Sequence, residues 1–172
     1  LPLTSRLPID NIVSTAKFGD LIEFSYPLGY SHWAIYDDDG HVIHFAVAAT
    51  NDNLCGDLLL GETKIRRVPV GEVNVPHGAH ALVSNNRHAF TPSAPEDMRL
   101  RRDALLNQSL PYNLFTLNCE HFATFIRYGK AVCNQVMPSL EKTSDYHLRC
   151  GNTLAAGINC FQQRSCREPS GG

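Results

Sequence analysis

A cysteine at position 119 and two histidines at 32 and 44 are the residues whose types and settings could together perform nucleophilic chemistry. Cys119 opens the stretch Cys119-Glu120-His121-Phe122, and Cys119, Phe122, Ala123 and Ile126 recur at i, i+3, i+4 and i+7, one face of an α-helix. Asn118 suits the N-cap and Gly129 the stop. The thiol would then sit in the first turn of a helix, on its inward face, where the dipole favours the thiolate. A nucleophilic thiol needs a base, and the base needs a third group to hold its tautomer.

His32 and His44 each interrupt an apolar β-rich run, Ser31–Tyr36 and His41–Ala46, on either side of Asp37-Asp38-Asp39-Gly40. This pattern predicts a hairpin. Alternation sets His32, Ala34 and Tyr36 on one face of the first strand and Val42, His44 and Ala46 on one face of the second. Directly opposed histidines require paired residue numbers that sum to 76, with Tyr36 opposite Gly40 and the turn centred on Asp38. A two-residue turn at Asp38-Asp39 would throw the rings to opposite faces. The other histidines read differently. His77, His80, His88 and His147 lie in polar stretches and are expected at the surface. His41 belongs to the turn, and His121 points away from the Cys119 face.

The elements that must position these residues follow from period and punctuation. Residues 1–16, with Pro2 and Pro8, read as an irregular lead-in. Residues 20–27 predict a strand and turn, 64–70 a short or edge strand ending near Pro69, and 80–85 a further strand. Residues 93–109 predict a helix with Ser93 and Glu96 as a capping box and Pro95 in the first turn. Arg99, Arg101 and Arg102, interleaved with Asp97 and Asp103, read as its solvated face. Strands followed by helices predict an α+β fold, an antiparallel sheet packed with helices.

A chain of 172 residues is one domain, 1–172, by its length. With 43% hydrophobic and 19% charged residues and a net charge of −2, it has no basic footprint for nucleic acid. No run of about eighteen apolar residues predicts a membrane-spanning anchor. No C-x-x-C pair occurs, and His77-x-x-His80 alone is a weak metal signal, so neither metal nor cofactor is expected. Of six cysteines, three fall in the polar C-terminal tail. Two disulfides drawn from Cys55, Cys150, Cys160 and Cys166 are expected, with Cys119 free. With the sequon Asn107-Gln108-Ser109 and a first residue other than Met, this points to a secreted protein, the alternative being a cytoplasmic one.

The segments 19–24, 32–46, 83–88 and 117–129 together resemble the lecithin retinol acyltransferase-like family, and within it the small phospholipase A/acyltransferases. The resemblance runs over a catalytic core of 17–136 and leaves 137–172 as a cysteine-rich tail. It implies a permuted papain-like (NlpC-type) fold and an acyl-thioester mechanism on glycerophospholipid esters. It assigns Cys119 as nucleophile, His32 as general base and His44 as the orienting third residue, and the Cys119 backbone N–H suits an oxyanion donor. Cys133 matches a cysteine of some intracellular relatives and is expected free. Two features depart from the pattern. Ser31 stands where a basic residue is common, and a polar tail replaces a hydrophobic anchor, leaving only peripheral contact with a lipid substrate. Two other readings compete: a secreted non-catalytic module that binds lipid or protein, and a cysteine peptidase of the NlpC type.

Overall fold

The computed structural model describes residues 7–47, 63–112, 117–135 and 159. Helix α1 (Leu7–Thr15) leads into strands β1 (Leu21–Ser25), β2 (Ser31–Tyr36), β3 (His41–Val47), β4 (Thr63–Pro69) and β5 (His80–Val83). A single 3₁₀ turn (Val70–Glu72) follows β4, and helices α2 (Pro95–Leu105) and α3 (Cys119–Tyr128) complete the order. The strands form one antiparallel sheet in the order β4-β3-β2-β1-β5, which bears out the α+β class. β4, which ends at Pro69, is an edge strand as its proline requires.

Both faces of the sheet are covered, so β2 is buried at every position and its apolar run is nearly continuous. On one face Ile22, Phe24, Ala34, Tyr36 and Val42 pack with Ile12 of α1 and with Val70 and Val73. On the other, Leu21, Trp33, Ile35, Ile43, Phe45 and Ile65 pack with Met98 and Leu105 of α2 and the buried stripe of α3.

Helix α1 corrects the irregular reading of the lead-in. Pro8 falls in the first turn, where its missing N–H costs nothing. Ile9, Ile12 and Ala16 then share the sheet-facing side. Helix α2 begins at Pro95 as expected, but Ala94 is its N-cap and no side chain caps it. The expected capping box is absent because the Ser93 hydroxyl instead accepts from Arg101 Nη1 at 2.8 Å. The solvated-face reading holds for Asp97, Arg99 and Asp103, which are exposed, and not for Arg101 and Arg102. Arg101 also donates to the Ile126 carbonyl at 3.0 Å, and Arg102 pairs with Asp37 at 2.8 Å, an acid that Arg67 holds from β4 at 2.6 Å. Arg99 lies over the Phe18 ring, 3.9 Å from its centroid.

The β2–β3 turn fixes the relation between the two histidines. Asp38, Asp39 and Gly40 all have positive φ (59°, 51° and 72°), a conformation that Asp tolerates and Gly adopts freely. They form a three-residue loop closed by the Asp37 N–H donating to the His41 carbonyl at 2.9 Å. The register therefore pairs Tyr36 with Val42 and Ala34 with His44. The pair sum is 78 rather than 76, a shift of two residues. Because side chains repeat every second residue, that shift keeps both histidines on one face and makes them diagonal rather than direct neighbours.

Candidate active site

The site is built on an opening in the sheet. β1 follows β2 as far as Ser31, and β4 follows β3 as far as Val47, but β2–β3 pairing runs only from Tyr36↔Val42 to Ala34↔His44. Continued, the register would set Trp33 against Phe45 and His32 against Ala46, and the strands part there instead. The Tyr36 N–H points at β1, donating to the Asp20 carbonyl at 2.8 Å, so by alternation the backbone groups of Trp33 and Ser31 face the β3 side. Buried backbone groups need partners, and these find them outside the sheet. Gln135 spans Ser31 with both ends of its amide, accepting from the N–H at 2.6 Å and donating to the carbonyl at 2.8 Å. The Trp33 N–H is taken up by the Cys119 sulfur.

Cys119 is the first residue of α3. Asn118 caps the helix with its side chain, accepting from the Glu120 and His121 N–H groups at 3.0 and 3.1 Å. The His121 ring completes the box by accepting the Asn118 N–H through Nδ1 at 3.1 Å. At the other end Gly129 (φ 69°) is the left-handed stop. Cys119, Phe122, Ala123 and Ile126 are all fully buried, as the sequence stripe requires. The thiol contacts the Tyr30 hydroxyl at 3.7 Å, and the Cys119 N–H donates to the Tyr112 hydroxyl at 3.4 Å.

His32 and His44 are both buried and coupled, with Nε2 of His32 2.8 Å from Nδ1 of His44 and the rings nearly perpendicular at 80°. Burial pushes His32 down to about 4. Burial, then the neighbouring His32 and Arg66, push His44 down to about 3. Both imidazoles are therefore neutral at neutral pH. Burial also raises the Cys119 thiol above its ordinary range, against the opposing hydrogen bonds from Tyr112, the Trp33 backbone and Tyr30. This overturns the expectation of a thiolate favoured by the helix start, because full enclosure at the core outweighs the dipole.

The three expected residues thus converge on one strand end: the thiol on the Trp33 backbone, His32 beside it in sequence, and His44 against His32. Among the described residues no hydrogen bond joins the thiol to either imidazole. By alternation the histidine rings belong to the α1 face and the Cys119 stripe to the α2–α3 face. The opening between β2 and β3 is where the two faces communicate.

The surface readings hold for His77 and His80, which are exposed, and not for His88. The His88 side chain is enclosed and its Nε2 donates to Glu120 at 2.8 Å. Glu120, itself buried, also accepts from the Cys133 thiol at 3.0 Å and the Asn134 N–H at 3.0 Å. Burial opposes its ionisation, but these hydrogen bonds prevail and hold the carboxyl below its ordinary range. Glu23, a second buried acid, accepts from Ser31 Oγ and Ser84 Oγ at 2.8 Å each and pairs with Arg87 at 3.1 Å. Ser31 thus serves as a buried donor. Sequence reasoning missed Gln135, Tyr30 and Tyr112, which lie outside any motif and acquire their roles only through contact. Cys133 is free, as expected, and so is Cys119. Cys55, Cys150, Cys160, Cys166 and His147 lie outside the described residues. No helix among the described residues is long and apolar enough to cross a membrane, and no group of three or more His, Cys, Asp or Glu side chains among them is placed to hold a metal ion.

An antiparallel sheet that opens to admit the first residue of a cysteine helix, with a histidine couple at the opening, defines a class of thiol–imidazole proteins. The family model of lecithin retinol acyltransferase matches residues 14–132. Human phospholipase A and acyltransferase 2 is 37% identical over 123 residues, covering 70% of this chain and 75% of the relative. Human phospholipase A and acyltransferase 4 is 33% identical over 124 residues, with coverages of 70% and 74%. The rat phospholipase A and acyltransferase 1 is 31% identical over 145 residues, with coverages of 83% and 81%. The chain belongs to the lecithin retinol acyltransferase family.

Proposed function

We propose that the chain is a thiol-dependent phospholipase A and acyltransferase that works through an acyl-thioester on Cys119. The observation that carries the reading is the convergence of the buried thiol and the coupled imidazoles at the end of β2. Names of relatives that specify phospholipase A and acyltransferase support the substrate class, a glycerophospholipid ester. In this mechanism His32 Nε2–H donates to His44 Nδ1, which leaves His32 Nδ1 free to take the thiol proton. Sulfur bonds to the acyl carbon while the carbonyl π pair moves to oxygen. Collapse reforms the carbonyl and breaks the ester C–O bond, and the leaving alkoxide takes the proton from His32. Water, or an amine or hydroxyl acceptor, repeats the sequence on the thioester.

The test compares fatty-acid release from phosphatidylcholine micelles by the protein and its Cys119→Ala variant, with mass spectrometry of the trapped acyl-protein. Release abolished by the substitution, with one acyl mass on the Cys119 peptide, supports the reading. Undiminished release by the variant overturns it.

The raised thiol pKa and the lack of a thiol–imidazole hydrogen bond favour one second reading, a non-catalytic lipid-binding module. That module would bind micelles yet release no fatty acid. Secretion and disulfides among Cys55, Cys150, Cys160 and Cys166 belong to the proposal as well, on the strength of the tail composition. Mass mapping under non-reducing conditions tests them, and four free thiols at these positions would refute the clasp.

A further inference from the structure

Two phenols crowd the nucleophile and have no part in the chemistry assigned so far. Tyr30, in the β1–β2 connection, sets its hydroxyl 3.7 Å from the Cys119 sulfur and 3.4 Å from the Tyr112 hydroxyl. Tyr112, after α2, receives the Cys119 N–H at 3.4 Å. That N–H is the donor at the helix start to which an acyl oxygen would turn, and the phenol oxygen already occupies its direction. Rings hold both hydroxyls in place: Tyr30 against Tyr26, with centroids 5.5 Å apart, and Tyr112 against Phe45 at 5.1 Å.

Burial first, and then the neighbouring Cys119, drive both phenols far above their ordinary range, so they keep their protons at any working pH. A protonated phenol is a donor, and the group it can serve here is an oxygen that gains negative charge beside the sulfur. A purely structural pair of tyrosines would not need both hydroxyls turned to the same reacting residue.

We propose that Tyr30 and Tyr112 are catalytic residues whose hydroxyls, with the Cys119 backbone N–H, form the oxyanion site for the acyl carbonyl. The inference rests on the acyl-thioester reading above. As the Cys119–carbon bond forms, the carbonyl oxygen takes the Cys119 N–H over from Tyr112. The two O–H groups then close on it as its charge develops, and they release it when the carbonyl reforms and the ester C–O bond breaks. The same three donors serve the second step, in which the thioester carbonyl is attacked by the acceptor.

A long-chain alkyl trifluoromethyl ketone tests this directly, because its adduct with the thiol carries an oxyanion. Alkylation by iodoacetamide forms none and reads the thiol alone. Tyr30→Phe and Tyr112→Phe, each assayed in the full chain, remove one hydroxyl and keep the ring. Each is expected to weaken ketone inhibition about 10²-fold, the usual loss for one oxyanion donor, with kcat falling alongside. The maximal alkylation rate at high pH should fall less than about threefold. A ketone affinity loss no larger than the alkylation loss, in either variant that retains the parent's melting temperature, would overturn the proposal. Should either variant unfold, the other decides. Cys119→Ala separates the two levels: if it releases fatty acid normally, the acyl-thioester reading itself has failed. If it is inactive while both tyrosine variants keep full activity and full ketone affinity, only the oxyanion assignment has failed.

Discussion

The resting state of the thiol makes the sharpest prediction. Burial raises Cys119 above its free value of 9.0, so at pH 7 fewer than about one molecule in a hundred carries the thiolate. His32, pushed down to about 4, is almost entirely free base at every pH above about 5.5. The two groups therefore meet as a neutral thiol and a neutral imidazole, not as an ion pair. Iodoacetamide needs the thiolate, so its rate with Cys119 should climb about tenfold per pH unit, roughly 10²-fold between pH 6.5 and 8.5, with no plateau below pH 9. Acylation by an ester substrate uses the neutral pair through general-base transfer in the transition state. Its kcat/KM should change by less than about twofold over the same interval. Both rates can be read on one preparation, by peptide mass spectrometry for alkylation and by product release for acylation. Half-maximal alkylation below pH 8 would mean that the helix dipole and the three hydrogen-bond donors overcome burial, which refutes the reasoning. An acylation rate that rises in parallel with alkylation would refute the neutral-pair route.

Other outcomes follow from the same geometry. The lowered folded-state values of His32 and His44 mean that the unfolded chain binds more protons between their free value of 6.5 and about 4. Stability is therefore held above pH 6.5 and eroded as pH falls toward 4, by about 3 kcal/mol from His32 alone, and urea midpoints should flatten across that window in His32→Asn. Glu120→Ala would strand the His88 donor in the core and release the half-buried Cys133 thiol and the Asn134 N–H at its edge, and chemical denaturation should show a loss of about 3 kcal/mol. Gln135→Ala frees both backbone groups of Ser31, next to His32, and should lower kcat by about tenfold while the melting temperature falls by only a few degrees.

What was legible in the sequence was local. The α3 stripe, its Asn118 cap and its Gly129 stop all act within a turn or two, and the structure keeps each of them. The shared face of His32 and His44 was legible because it depends only on whether the loop has an odd or even number of residues. The exact pairing was not, since it depends on which three residues turn: Asp38, Asp39 and Gly40, all in the left-handed region, rather than Asp37, Asp38 and Asp39. Helix α1 is hard to read from the sequence because Pro8 looks like a breaker, although Pro is at home in a first turn and Ile9, Ile12 and Ala16 have helical spacing. His88 looked polar and exposed in its own neighbourhood. Its burial is decided by Glu120, thirty-two residues away, and no local pattern carries that information.

The opening between β2 and β3 explains how one sheet can bring these groups together at all. An unbroken ladder would place a layer of hydrogen-bonded backbone between the histidine face and the cysteine-helix face, and no side chain on one would reach the other. Parting the strands beyond Ala34 and His44 removes that layer at one spot, and leaves the inward backbone groups of Ser31 and Trp33 without a strand partner. Such groups cost about 1–3 kcal/mol each if left bare in the core. Gln135 answers both groups of Ser31 and the Cys119 sulfur answers the Trp33 N–H, so the residues that hold the sheet open also build the site. The amide of Gln135 copies the paired donor and acceptor of a β3 residue. The sulfur, by contrast, is a weak acceptor for the Trp33 N–H, so that position is the least firmly held part of the opening. A nucleophile held only by weak hydrogen bonds, from the Trp33 N–H and the Tyr30 and Tyr112 hydroxyls, can leave them for a substrate carbon at little cost, whereas a strong acceptor there would stabilise the resting state against the transition state.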